Sequence, residues 1–138
     1  MDVLASRIIL RPRDPIVTQA FYRDVLGLAI SREFGPPETP GQVFYAGASQ
    51  IEVSGRAAPA DAPSSVAIWV QVRDVDAEAA RLAAAGVTLE RGPQLEPWGL
   101  KELWISDPDG TPLVLVEIPP EHPLRRDLRS LPLPDSPD

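Results

Sequence analysis

The sequence contains the same pattern twice, about 60 residues apart, and this repeat limits the possible folds more than any other feature. An apolar run closed by Arg-Asp occurs at residues 6–14 and again at residues 66–74. A segment with helical spacing follows each run and ends at a glycine, Gly27 in the first copy and Gly86 in the second. The sequence therefore predicts one supersecondary unit in two copies, with a cleft between them as the place for a ligand.

The hydrophobic periodicities predict the order of elements within each copy. A strand is followed by a helix, over residues 16–26 in the first copy and 76–85 in the second. The other strands are predicted at 28–34, 42–46 and 49–54, and then at 66–72, near 87–91, at 101–106 and at 112–118. The expected helix caps are Asp14, and Asp74 or Asp76. The predicted fold is α+β, built from tandem βαβββ modules.

The distribution of proline and small polar residues predicts the domain boundaries. A chain of 138 residues is long enough for a single domain with its own core, expected over residues 1–118. It comprises module one (residues 5–55), an exposed proline-rich linker (residues 56–65) and module two (residues 66–118). The proline density of residues 119–138 predicts a surface extension without regular structure.

Composition and charge exclude several classes of function. The chain has no cysteine, which rules out disulfides, zinc-thiolate sites and thiol nucleophiles. Its formal net charge of −7 argues against nucleic acid as a partner and favours a neutral or cationic ligand. The sequence shows no signal peptide and no apolar run of membrane-spanning length, so neither a membrane nor export is expected and the predicted location is cytoplasmic.

Three ordered motifs resemble a known superfamily. They are FYRDVLGL at residues 21–28, VRDVDAEAARLAAAGV at 72–87 and PWGLKELWISDPDGTPLVLVE at 97–117. The pattern is similar to the vicinal-oxygen-chelate superfamily of glyoxalases, extradiol dioxygenases, fosfomycin-resistance enzymes and bleomycin-resistance proteins, and it looks closest to the bleomycin-resistance branch. The resemblance implies a curved mixed sheet around a cleft. It does not imply one function, because this fold hosts many chemistries.

The resemblance also identifies four strand positions that bind a metal in the metal-dependent members. Here these positions hold Arg7, Glu52, Ala67 and Val114. Only Glu52 offers a ligand, and a guanidinium at Arg7 repels a cation, so no metal and no cofactor are expected. An ion pair between Arg7 and Glu52 is the alternative. Glu117 lies an odd number of residues from Val114 and is predicted on the other sheet face.

Alternation along the strands predicts which side chains line the cleft. The expected set is Gln50, Glu52, Ala67, Trp69, Gln71, Pro112, Val114 and Val116. Trp98 is predicted on a loop entering the penultimate strand, where Glu102 and Trp104 lie. The candidate ligand-binding residues are therefore Arg7, Glu52, Trp69, Gln71, Trp98, Glu102, Trp104 and Val114. One alternative remains for each of the two tryptophans on strands: a shift of one residue would place Trp69 in the core, and Leu103 competes with Trp104 for the cleft side.

Three further residues are expected to have no role in ligand binding. Asp107 and Asp109 are predicted to form the DPDG turn, and His122 to be a solvated tail residue.

The favoured function is a metal-independent binding protein that sequesters an antibiotic or a related metabolite, as a homodimer, with no catalytic residue. The ligand is expected to be aromatic or amphipathic and neutral to cationic. Two alternatives remain open: a lyase, isomerase or dioxygenase with Glu52 as its base, and a regulatory module with a vestigial cleft.

Overall fold

The computed structural model describes residues 7–62 and 66–123 of the chain. Module one contains β1 (Ile8–Leu10), α1 (Pro15–Ala20) continued by a π-helical segment (Phe21–Val25), β2 (Ile30–Phe34), β3 (Gly41–Ala46) and β4 (Ser49–Val53). Module two contains β5 (Ile68–Gln71), α2 (Val75–Ala84), β6 (Arg91–Leu95), β7 (Lys101–Ser106) and β8 (Pro112–Glu117). The predicted tandem βαβββ fold is confirmed. Of the predicted tail, residues 124–138 lie outside the described ranges.

The two modules form two four-stranded sheets with the same topology. The strand orders are β1-β4-β3-β2 and β5-β8-β7-β6. In each sheet the first strand runs parallel to the last, and the registers pair Ile9 with Glu52 and Trp69 with Val114. Ile9 and Trp69 therefore occupy equivalent positions in the two modules, as do Glu52 and Val114.

Acidic caps define where both helices begin. The Asp14 side chain accepts a hydrogen bond from the Val17 backbone N–H at 3.1 Å, and that of Asp74 accepts one from Ala77 at 2.9 Å. Each cap satisfies an N–H group that has no partner inside the helix. Of the two predicted caps for α2, Asp74 is the one used, so the helix begins at Val75. No helix in the described ranges is long and apolar enough to cross a membrane.

One hydrophobic core joins the modules. It lies between the helices and the sheets, and includes Tyr22, Phe44 and Ile51 from module one and Leu82, Leu103 and Leu113 from module two. Hydrogen bonds between the two modules also join them at the edges of this core. The backbone N–H and Nε of Arg13 donate to Asp109 Oδ1 at 2.9 and 3.0 Å, and Arg81 Nη1 donates to the Val25 carbonyl at 2.7 Å.

The DPDG segment forms the predicted turn between β7 and β8. Asp107 Oδ1 accepts hydrogen bonds from the backbone N–H groups of Asp109 (2.9 Å) and Thr111 (2.8 Å). Gly110 has a φ of 86°, a left-handed conformation that glycine adopts without steric cost. The sequence-based assignment of both aspartates to the turn is confirmed.

The last strand also contacts a helix. Glu117, the final residue of β8, accepts a hydrogen bond at Oε2 from the Val75 backbone N–H at 2.9 Å. Its carboxylate therefore lies on the helix side of the sheet, as predicted from its spacing to Val114. A negative charge is favourable at this end of α2, because the helix dipole is positive there.

The structure differs from the sequence-based prediction at β6 and in the first helix. The strand predicted near residues 87–91 begins at Arg91, while Val87 and Leu89 pack against the core without pairing in the sheet. Val87 and Leu89 alternate with polar residues because they pack against the core. Such packing gives the same sequence pattern whether or not the segment pairs as a strand. The first helix ends in a π-helical segment in which the Leu26 N–H bonds to the Phe21 carbonyl at 2.9 Å. The apolar spacing does not distinguish this geometry from an α-helix.

Candidate functional site

The predicted cleft residues of module two lie on one side of its sheet. Ile68 and Leu113 are 2% and 0% exposed and face the helices, whereas Trp69 on the opposite side is 49% exposed. This confirms the predicted orientation of Trp69, and the burial of Leu103 against the helices resolves its competition with Trp104. The side turned away from α2 is called the Trp face. It comprises Trp69, Gln71, Glu102, Trp104, Val114 and Val116, with Trp98 at its border.

Glu102 connects two of the three tryptophans. Its side chain is buried, with only 5% of the residue exposed. Oε1 accepts a hydrogen bond from Trp98 Nε1 at 2.8 Å, and Oε2 accepts one from Trp104 Nε1 at 3.1 Å. Hydrogen bonds to an ionised acceptor are about twice as strong as those between neutral groups. Each carboxylate oxygen therefore holds the edge of one indole ring.

Trp98 lies in a turn that is itself held closely. The Glu96 N–H bonds to the Leu100 carbonyl and the Gly99 N–H to the Glu96 carbonyl, both at 2.8 Å. The Glu96 side chain is buried and forms an ion pair with Arg91. The sequence-based prediction did not include this pair, because Glu96 precedes a turn and nothing in its spacing indicates burial.

His122 contacts the same turn from beyond the last strand. Its Nε2 lies 3.1 Å from the Trp98 carbonyl oxygen, and a Cβ added at Gly99 would lie 3.0 Å from its ring. The side chain is half-buried. The prediction of a solvated tail histidine was therefore wrong, because proline density indicates the absence of regular structure but not the absence of packing.

The floor of the Trp face is apolar. Leu100, Val114, Val116 and Ile118 form a small buried cluster, and the half-buried Trp104 packs against it. Trp98 remains 55% exposed despite its bonds. The face thus presents aromatic rings in fixed positions over an apolar base, an arrangement suited to stacking a flat molecule.

The four positions that hold a metal in the resembling enzymes do not fit one here. Arg7 Nη1 donates to Glu52 Oε2 at 2.9 Å, so the predicted ion pair is present. Ala67 and Val114 have no donor atom for a metal. Within residues 7–62 and 66–123, no group of three or more acidic or histidine side chains is arranged to hold an ion.

A broad groove of about 1620 Å³ lies between module one and the β7–β8 turn of module two, and no residue of the Trp face lines it. Its walls are α1, the segment between β2 and β3, and linker residues 54–62. Of the predicted ligand-binding residues, only Glu52 borders it. The groove lining includes the buried polar residues Gln19, Asp107 and Thr111 but no tryptophan, whereas the three indoles of the chain lie on or beside the Trp face.

Comparison with known proteins identifies the family. The sequence profile of the glyoxalase/bleomycin resistance protein/dioxygenase superfamily matches residues 5–115. The chain belongs to this superfamily. No curated protein sequence matches it significantly.

Several solved structures are similar to this chain. One is a lactoylglutathione lyase from Agrobacterium tumefaciens, with a TM-score of 0.66 and 23% identity over 85% of this chain and 96% of that one. Another is TnmS3, an antibiotic binding protein from a Streptomyces species, with a TM-score of 0.69 and 22% identity over 86% and 100%. A third is a superfamily member from Sphaerobacter thermophilus, with a TM-score of 0.62 and 26% identity over 85% and 97%. An enzyme and a binding protein share the fold, so the function must be argued from the site.

Proposed function

We propose that this protein binds a small aromatic or amphipathic molecule, neutral to cationic, on the Trp face, without a metal and without transforming it. The main supporting observation is the pair of indoles held by Glu102, one of which is 55% exposed. A large apolar ring in water is unfavourable unless a partner covers it. Stacking on such a ring contributes about 0.5–1.5 kcal/mol beyond the burial of its area.

The charged groups around the site support binding over catalysis. A general base must reach a proton of the substrate with a free acceptor. Glu52, the one candidate base from the sequence, is bonded to Arg7, and both oxygens of Glu102 accept indole N–H groups. Of these four oxygens only Glu52 Oε1 is without a hydrogen bond in the described ranges, so the enzyme alternative rests on a carboxylate whose other oxygen is already paired with Arg7.

The similarity to TnmS3 supports the class of ligand. TnmS3 is described as an antibiotic binding protein and has the same fold over its full length. We extend this to the present chain as part of the proposal: its ligand is an antibiotic or a related aromatic metabolite, and its role is sequestration.

A second copy of the chain is part of the proposed function. In one chain the Trp face is an open sheet surface, because the two four-stranded sheets are separate. Large apolar side chains stay exposed on it and at the equivalent position of module one, where Ile9 is 51% exposed. A two-fold dimer in which two such surfaces meet would turn each open face into a groove.

The test is a titration of tryptophan fluorescence with polycyclic aromatic antibiotics, bleomycin-type glycopeptides and simple anionic metabolites, followed by mass analysis of the recovered ligand. A ligand that binds should be returned unchanged, and Trp69→Ala should weaken it by about tenfold or more, equivalent to 1.4 kcal/mol. Ile16→Ala is the matched control, because Ile16 is 78% exposed on α1 and borders the broad groove, which no residue of the Trp face lines. The proposal fails if Trp69→Ala leaves every affinity unchanged, or if the ligand is converted.

A further inference from the structure

The contacts of Glu102 lead beyond binding to the choice of ligand. We infer that Glu102 is a positioning residue that fixes the rings of Trp98 and Trp104 and makes the Trp face selective for planar organic cations. The selectivity rests on the proposed function, whereas the positioning can be tested without any ligand.

The positioning follows from the two ends at which Trp98 is held. Glu102 Oε1 holds the ring edge at 2.8 Å, and the backbone is held by the turn between Glu96 and Leu100. Trp104 is held at its edge by Oε2 and packed on Val114 and Val116. A side chain fixed before binding loses less freedom when the ligand arrives, so both rings are preorganised.

The selectivity follows from the charge that Glu102 brings. The donors that it accepts from are neutral indoles, and no ion pair with Glu102 is present in the described ranges. The basic side chains of β6 and β7, Arg91 and Lys101, form ion pairs with Glu96 and Asp76.

A buried carboxylate without a positive partner leaves a net negative charge beside the rings. The faces of aromatic rings already attract cations, and a hydrogen bond from the indole N–H to a carboxylate polarises the ring further in that direction. A planar cation stacked on these rings therefore gains from both effects, and an anion is repelled by both.

The positioning is tested in the ligand-free protein by nitrogen–proton NMR. The chain has three tryptophans, so the spectrum should contain three indole N–H signals, assigned with single Trp→Phe variants. We expect the signals of Trp98 and Trp104 downfield of that of Trp69 and slower to exchange with water. Glu102→Gln should move both upfield and leave Trp69 in place. Unchanged signals for Trp98 and Trp104 in this variant would overturn the positioning.

The selectivity is tested with three probes of one shape: N-methylacridinium, neutral acridine and acridine-9-carboxylate. The wild type should bind the cation about tenfold more tightly than neutral acridine, and the anion least. Glu102→Gln should reduce this preference to near unity. The control is Glu90→Gln, which removes the same charge from an exposed side chain bonded to Ser106 at 2.6 Å. Equal preference in wild type and Glu102→Gln would overturn the selectivity.

Two further outcomes remain decisive. If Glu102→Gln does not fold, Trp98→Phe takes its place, since it removes the N–H donor and keeps an aromatic ring. Affinity for the cation should then fall, and an unchanged affinity would count against the role of the hydrogen bond. If none of the three acridines binds, the selectivity fails, while the titration with antibiotics decides the proposed function and the ligand-free spectra decide the positioning.

Discussion

The hydroxyl of Tyr22 donates a hydrogen bond to Asp107 Oδ2 at 2.9 Å, joining the π-helical segment of module one to the β7–β8 turn of module two. Tyr22 is completely buried. Burial, followed by the nearby Asp107 charge, raises the pKa of Tyr22 well above its usual range, so the phenol stays protonated and acts as donor. Burial also raises the pKa of Asp107, against the opposing effect of the hydrogen bonds that it accepts.

Tyr22→Phe should destabilise the protein by about 1–3 kcal/mol, because it leaves a buried carboxylate oxygen without its donor. Urea unfolding followed by circular dichroism measures the loss. Tyr45→Phe is the matched control, since Tyr45 is 53% exposed and its hydroxyl has no partner in the described ranges. Equal losses in the two variants would contradict the role of the Tyr22 bond.

The loss caused by Tyr22→Phe should depend on pH. The pKa of Asp107 is raised in the folded state, so its ionisation opposes folding: its favourable contribution is full below the unfolded pKa and is lost as the pH rises through the folded pKa. The Tyr22 hydrogen bond favours the ionised carboxylate, so its removal raises the pKa of Asp107 further. The cost of Tyr22→Phe should therefore be greatest near neutral pH and shrink as the pH falls through the Asp107 pKa. A cost independent of pH across this range would refute the assignment.

Gly55→Ala should destabilise the fold by about 1–3 kcal/mol, the usual cost of overpacking. A Cβ at this position would overlap the carbonyl oxygens of Thr39 and Pro40, which are backbone atoms and cannot move aside easily. Gly92→Ala is the control, because nothing lies within 4 Å of its added Cβ. Its effect should stay within about 0.5 kcal/mol. Thermal unfolding of the two variants compares them directly.

Purified protein should retain far less than one equivalent of zinc, iron, nickel or manganese after dialysis, because Arg7 and Glu52 form an ion pair at the position where related enzymes hold a metal. Elemental analysis measures the content. About one metal per chain that survives dialysis and is lost in Glu52→Ala would show that the ion pair opens to hold it.

In solution we expect a two-fold dimer with about twice the 15.0 kDa mass of one chain. Light scattering at micromolar concentration measures this mass. Ile9→Glu should shift the population toward the monomer, because it places a charge on an exposed apolar position of module one. Ile16→Glu makes the same change on α1 and should leave the dimer intact. A wild-type mass near that of one chain would contradict the expectation.

The fold could be predicted from the sequence because each module repeats the same simple signals. Strand alternation fixed the side on which Trp69 lies, and the spacing of the acidic residues identified Asp14 and Asp74 as caps. These signals depend only on neighbouring residues along the chain. They fail at Val87 and Leu89, where packing against the core produces the same alternation as strand pairing.

The organisation of the site could be predicted only in part. Alternation indicates which residues share a face, but not that Glu102 accepts from two indoles at once. That arrangement depends on ring rotamers and on a turn secured by Glu96 and His122. The prediction that Glu102 contacts a cation stays a prediction, now with two indole rings beside the carboxylate.

The bond from the Val75 N–H to Glu117 also has a consequence for how the second sheet assembles. If β8 slipped by one residue against β5, the Glu117 carboxylate would move onto the Trp face and its hydrogen bond from the Val75 N–H at the start of α2 would be lost. The same slip would turn Val114 and Val116 toward the helices and bring the core residues Leu113 and Leu115 onto the Trp face. The start of α2 and the register of β8 are therefore coupled. A misaligned β8 would lose both the hydrogen bond to Val75 and the packing of its leucines in the core.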